Sequence, residues 1–156
     1  DVLSKKGLRG ASTITQQVVK NVFLTSERSF WRKFKEIILS VRLEGAVTKN
    51  KILETYLNIA EWGEGVFGIQ AASRLYFRKH PSQLSPREGA FLAMLLPSPK
   101  RYSQSFKSRQ LSEYARKSVS SILEKMMQAR YISEEQRVLE TYQPFWFEAT
   151  PPSSAL

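Results

Sequence analysis

What this chain can fold into is constrained most by its helical beat. Ile14, Val18, Val22 and Phe23 recur at spacings of four and one, with Ser12 or Thr13 placed to cap the helix they imply. Ser29 can cap a second helix striped by Phe30, Phe34, Ile37, Ile38 and Val41, and Thr48 a third carrying Ile52, Leu53, Tyr56, Leu57 and Ile59. These stripes read as core faces. Glu61–Gly68 holds three glycines in six residues and reads as a loop of unusual backbone. A helix over Ile69–Phe77 follows. Ser85-Pro86-Arg87-Glu88 is a capping box with proline at the first helical position, opening an apolar helix that must stop before Pro97. Pro97-Ser98-Pro99 breaks the chain. A long amphipathic helix is expected from about Ser108 to Arg130, on Leu111, Tyr114, Val119, Ile122 and Met126, and Ser133 with Gln136 caps a last short one. No repeat and no convincing strand is visible, so the expected class is mostly α.

At 156 residues and 42% hydrophobic, the chain can bury one core. One domain is expected over residues 1–141, followed by a loosely ordered tail, 142–156, that is aromatic and then rich in Pro and Ser. The formal charge of +10 calls for an anionic partner. Residues 1–50 carry ten Lys/Arg against four Asp/Glu, a net +6, so the anion-binding face belongs largely to the first third. The absence of cysteine excludes disulfide and thiolate chemistry. No apolar run reaches the roughly 20 residues of a spanning helix. Asp1–Lys6 is polar, without an initiating Met or a signal peptide, and reads as interior sequence of a longer protein.

The chemistry concentrates in residues 10–36. A small-residue turn, Gly10-Ala11, leads into Ser12, Thr13, Thr15, Gln16 and Gln17, then the cations Lys20, Arg28, Arg32 and Lys35 and the carboxylate Glu36. Hydroxyls, amides and cations gathered without cysteine or histidine suit phosphate and sugar oxygens, and suit neither a metal centre nor a nucleophilic triad. Polar residues crowd a helix start, where backbone N–H groups already favour an anion. Arg32 and Glu36 fall at i,i+4, and the plain reading of that pair is a solvated surface ion pair.

Gly10–Asn21 and Arg32–Glu36 closely resemble the second and third motifs, G-x-S-T-I-T-Q-Q-x-x-K-N and R-K-x-x-E, of family 51 glycosyltransferases, the peptidoglycan transglycosylases. Lys51–Asn58 fits the fourth, I-L-E-x-Y-L-N; the resemblance is specific over residues 10–75 and looser over 76–140. It implies a lysozyme-like helical fold and a site that polymerises lipid II by inverting transfer. The donor would be a glycan chain on undecaprenyl pyrophosphate, a leaving group that needs charge neutralisation rather than a proton. The implied catalytic residues are Glu36, in an auxiliary part, with Lys20 and Arg28; Ser12, Thr13, Gln16, Gln17, Asn21, Arg32 and Lys35 would bind substrate. Glu54 and Asn58 would staple helices together. No cofactor is required, although a divalent cation is compatible. The implied setting is the extracytoplasmic, periplasmic face of a bacterial cytoplasmic membrane, reached by an anchor outside this chain, with lipid II, the lipid-linked glycan, the membrane surface and other cell-wall synthesis proteins as partners.

The family's first motif, E-D-x-x-F-x-x-H-x-G, which supplies the general base for the acceptor's 4-hydroxyl, does not occur in the sequence. Nine residues precede Gly10, none of them Glu, and the single histidine, His80, sits beside Pro81. The segment is therefore expected to be inactive alone. The alternative is a catalytically idle basic module that binds lipid pyrophosphate or an anionic membrane surface, for which Phe30 and Trp31 on a basic helix are suited. Nucleic-acid binding rests on charge alone and finds no motif. No G-x-G-x-x-G or D-x-D points to a nucleotide-sugar fold.

Overall fold

A computed structural model describes residues 13–24 and 30–148. It is mostly helical, as the spacing predicts, and divides into two compact units, residues 1–59 and 60–156. The division falls between Ile59 and Ala60, inside the stretch 1–141 that the sequence reads as one domain.

In the first unit α1 (Ile14–Phe23) packs against both α2 (Phe30–Ala46) and α3 (Lys49–Ile59). Thr13 caps α1: its side chain accepts from the Gln16 N–H while Gln16 Oε1 accepts from the Thr13 N–H, so two orphan donors are satisfied reciprocally. Thr48 accepts from the Lys51 N–H at the start of α3. The Ser29 cap expected for α2 lies outside the described residues.

Two apolar stripes do not face inward as the periodicity suggested. On α1 the buried residues are Thr15, Val18 and Val19, whereas Ile14, Val22 and Phe23 are exposed. On α2 the inversion is complete. Phe30, Phe34, Ile37, Ile38 and Val41 are all exposed, Phe30 at 99%, and the buried residues are Glu36 and Ser40. Periodicity identifies a helix and its apolar face but not what that face meets. The buried face of α2 is its polar one: Glu44 takes a hydrogen bond from Thr15 of α1, while Glu36 and Ser40 find their partners, Lys33 and the Glu36 carbonyl, on α2 itself. On α3, Ile52 and Tyr56 are buried as expected, while Leu53 is exposed. Among the described residues Glu54 and Asn58 are tied within α3 rather than between helices: Glu54 pairs with Lys51, and Asn58 Nδ2 donates to the Glu54 carbonyl.

The second unit opens with a short antiparallel ribbon that the sequence reading missed, β1 (Glu61–Gly63) and β2 (Val66–Phe67). Gly65 turns it with φ of 72°. Gly63 lies under Tyr76, whose hydroxyl donates to the Trp62 carbonyl at 2.8 Å; a Cβ at 63 would fall on that hydroxyl. Then come α4 (Ile69–Phe77), a 3₁₀ turn (Pro81–Gln83), α5 (Pro86–Leu95), the four-residue α6 (Pro99–Tyr102) and α7 (Gln104–Lys107), α8 (Glu113–Gln128) and α9 (Glu134–Tyr142). The capping boxes at Ser85 and Ser133 form as read. The long helix starts later than expected, at Glu113, because Ser112 caps it after the residues from Pro99 have coiled into two short helices.

The core of this unit joins Trp62, Tyr76, Phe77, Phe91, Leu95, Val119 and Leu123. Phe145 and Phe147 complete it, 4% exposed each and stacked at 5.1 Å. Trp146 Nε1 donates to the Tyr76 carbonyl at 2.6 Å. Residues 143–148, read from sequence as part of a loose tail, are therefore a packed segment; residues 149–156 lie outside the described range.

Candidate functional site

The predicted site falls in the first unit and is organised by polar contacts between its three helices. Thr15, 6% exposed on α1, donates its hydroxyl to Glu44 Oε1 of α2 at 2.6 Å. Gln17 accepts at Oε1 from the Tyr56 hydroxyl of α3 at 3.1 Å. Burial holds the Tyr56 pKa above its ordinary value, so its hydroxyl stays a donor. With its oxygen taken, the Gln17 amide has its NH₂ group left for another acceptor.

Glu36 is 3% exposed, which settles the plain reading against a solvated pair. Its carboxylate is held by the Lys33 ammonium one turn earlier, and Ser40 Oγ donates to its backbone carbonyl at 2.7 Å. The sequence had drawn Arg32 as the partner; Arg32 is half-buried on the same helix. Lys33, Glu36, Ser40 and Glu44 recur at spacings of three and four, which makes one polar stripe along α2.

The other candidates divide clearly. Lys20, Asn21 and Lys35 are exposed. Lys20 and Lys35 have no ion-pair partner among the described residues, which leaves both ammonium groups available to an anion. Gln16 commits its oxygen to the helix cap, and Thr13 its hydroxyl, so both support the start of α1 before anything else. Ser12 and Arg28 lie outside the described residues. The sequence reading passed over Lys33, although it is the second residue of R-K-x-x-E. It took Tyr56 as core, which holds for the ring and misses the hydroxyl. Glu44 had no local signal. Among the described residues, no three His, Cys, Asp or Glu side chains gather as a metal-ligand set.

The sequence profile of the Transglycosylase family matches residues 1–127, so the chain belongs to that family, the one its motifs resemble. A biosynthetic peptidoglycan transglycosylase from Aromatoleum aromaticum is 46% identical over 112 residues, covering 72% of this chain and 48% of its own. One of the same name from a Marinomonas species is 56% identical over 94 residues, covering 60% and 42%. Penicillin-binding protein 1A from Haemophilus influenzae aligns structurally over 89% of this chain and 17% of its own, with a TM-score of 0.48 and 20% identity. The chain spans about half the length of the curated relatives it matches.

Proposed function

We propose that this chain carries the phosphate-binding part of a peptidoglycan glycosyltransferase that polymerises lipid II into glycan strands with inversion. The observation that carries the reading is Glu36, a buried carboxylate on a helix whose polar stripe, rather than its apolar one, is packed against α1. Burying a charged group is costly unless it is paired, and a fold that spends its apolar face on solvent to do so is organised around that group. In this account Lys20, Arg28 and Lys35 neutralise charge developing on the departing undecaprenyl pyrophosphate, and the Gln17 NH₂ group binds a phosphate or sugar oxygen. Lys33 fixes Glu36, whose charge in turn steadies the cations around it. No cofactor is needed for these roles. The acceptor's 4-hydroxyl needs a base from the first motif, so the 156-residue chain alone should not polymerise.

A second role follows from α2. Phe30, Trp31, Phe34, Ile37, Ile38 and Val41 form an exposed apolar face on a basic helix. Such a face marks an interaction surface, and its chemistry suits the boundary of an anionic membrane where lipid-linked substrates reside. No helix among the described residues is long and apolar enough to cross a membrane.

The test is made in a version extended upstream to include the first motif. Lys20→Ala and Arg28→Ala should each leave circular dichroism unchanged and reduce lipid II polymerisation by 100-fold or more, matching a loss of about 2.7–4 kcal/mol of transition-state stabilisation. A variant keeping more than about a tenth of the activity, a loss under about 1.4 kcal/mol, removes that residue from the site.

A further inference from the structure

The second unit contains a cavity of about 800 Å³ that none of the roles above uses. Its size is that of small-molecule sites, and it lies between α8 and the stretch that runs from the end of α9 to Glu148. Two guanidinium groups form its charged wall. Arg87 Nη1 donates to the carbonyls of Glu140 and Thr141, both at 2.8 Å, and the group lies 4.5 Å over the Phe145 ring. Arg116 Nε donates to the Leu111 carbonyl at 3.3 Å.

Carbonyls orient a cation without neutralising it. Among the described residues no carboxylate comes within ion-pairing distance of either guanidinium. The nearby acids already have donors. Glu140 Oε2 takes the Ser85 hydroxyl and the Arg87 N–H, both at 3.0 Å, Glu148 Oε2 takes the Phe145 N–H at 2.9 Å, and Glu124 pairs with Arg137 at 3.4 Å. Burial lowers the Arg87 pKa; Glu148 and Glu140 pull it back up, and the charge of Arg116 pushes it down again. Arg87 thus feels the two acids more strongly than it feels Arg116, yet neither guanidinium has a carboxylate in direct contact among the described residues. Lys117, whose ammonium pairs with Glu113 at 2.6 Å, lines the cavity with Ser120, Ser121, Glu124 and Glu148, and Leu111 and Tyr142 supply apolar surface.

We propose that this cavity binds a small organic anion, its phosphate or carboxylate held between Arg87 and Arg116 and its body resting on Leu111 and Tyr142. Planar guanidinium groups match both head groups in bidentate geometry, and a ligand charge placed between them would give each guanidinium the direct anionic partner it lacks.

The experiment titrates the 156-residue chain with phenyl phosphate, benzoate and phenol while backbone amide resonances are followed. Phenyl phosphate or benzoate should shift the amides of Ser120, Ser121 and Thr141 saturably, the tighter of the two naming the head group, and phenol should not. Arg116→Gln should weaken that binding at least tenfold with unchanged circular dichroism. Arg116 carries the test because Arg87 also ties down the chain at Glu140 and Thr141. Lys49→Ala, which removes an exposed cation of the first unit that has no assigned role, should bind as the unaltered chain does. Equal shifts with phenol, undiminished binding by Arg116→Gln, or shifts confined to residues 13–36 would each overturn the proposal.

Discussion

The Tyr56 hydroxyl donates to Gln17 Oε1 at 3.1 Å, from α3 to α1, and this one contact decides which end of the Gln17 amide is left to work with. If the NH₂ group is what meets substrate oxygen, Tyr56 is a positioning residue. Tyr56→Phe should lower stability by about 0.5–1.5 kcal/mol, the usual worth of one hydrogen bond. In the extended protein it should also cut polymerisation several-fold, and Gln17→Glu, which cannot donate, should cut it further. Full turnover in Tyr56→Phe would mean that the amide needs no orienting.

Alkaline pH reads the same tyrosine. Burial raises the pKa of Tyr56, and that of Tyr76 as well, against a weaker lowering by Ser103. The unfolded chain releases these protons near pH 10, while the folded chain retains them. Their contribution to stability is therefore whole below about pH 10 and lost as pH rises through the folded values. Urea unfolding followed from pH 8 to pH 11 should show this decline, and Tyr56→Phe should flatten it. A decline of the same slope in the variant would assign it to other groups.

Glu36 separates structure from chemistry. Glu36→Gln should fold and should lower turnover of the extended protein at least tenfold, about 1.4 kcal/mol. Lys33→Ala should instead be felt in stability, by roughly 1–3 kcal/mol, since it strips a donor from a buried carboxylate. Thermal unfolding and polymerisation measured together distinguish the two. Undiminished activity in Glu36→Gln would reduce Glu36 to a packing element.

The outward face of α2 makes its own claim. Replacing Phe30, Trp31 and Phe34 together by serine should leave the fold intact, because these side chains stand 99%, 72% and 55% exposed. Sedimentation with vesicles containing anionic lipid should nevertheless fall several-fold. Equal co-sedimentation of the altered and unaltered chains would exclude this face as the contact.

Helix existence was legible because caps and periods are local. Thr13, Ser85 and Ser133 cap where their side chains and the residue three positions on require it, and Ile69–Phe77 is bounded as read. What a face meets is not local. The same stripe from Phe30 to Val41 that defines α2 says nothing of whether protein or another phase covers it, and the structure turns Glu36 and Ser40 inward instead. Much of the candidate site was legible as a set of residue types between Thr13 and Glu36. The ties that organise it, Thr15 to Glu44 and Gln17 to Tyr56, join positions 29 and 39 residues apart and leave no trace in local spacing. The segment 143–148 was missed for another reason: with no helical period, only its aromatic content hinted at burial.

That segment bears on the order of assembly. Phe145 and Phe147 are contributed from the far end of the second unit, and Phe147 stands 70 residues beyond Phe77, against which its ring lies at 6.4 Å. On a chain emerging from the ribosome, the faces of Phe77 and Phe91 must stay wet until residue 147 arrives. The aromatic core of the second unit is thus completed only by its last described residues. A nascent chain stalled before Gln143 would present an unfinished aromatic surface, the kind that chaperones bind.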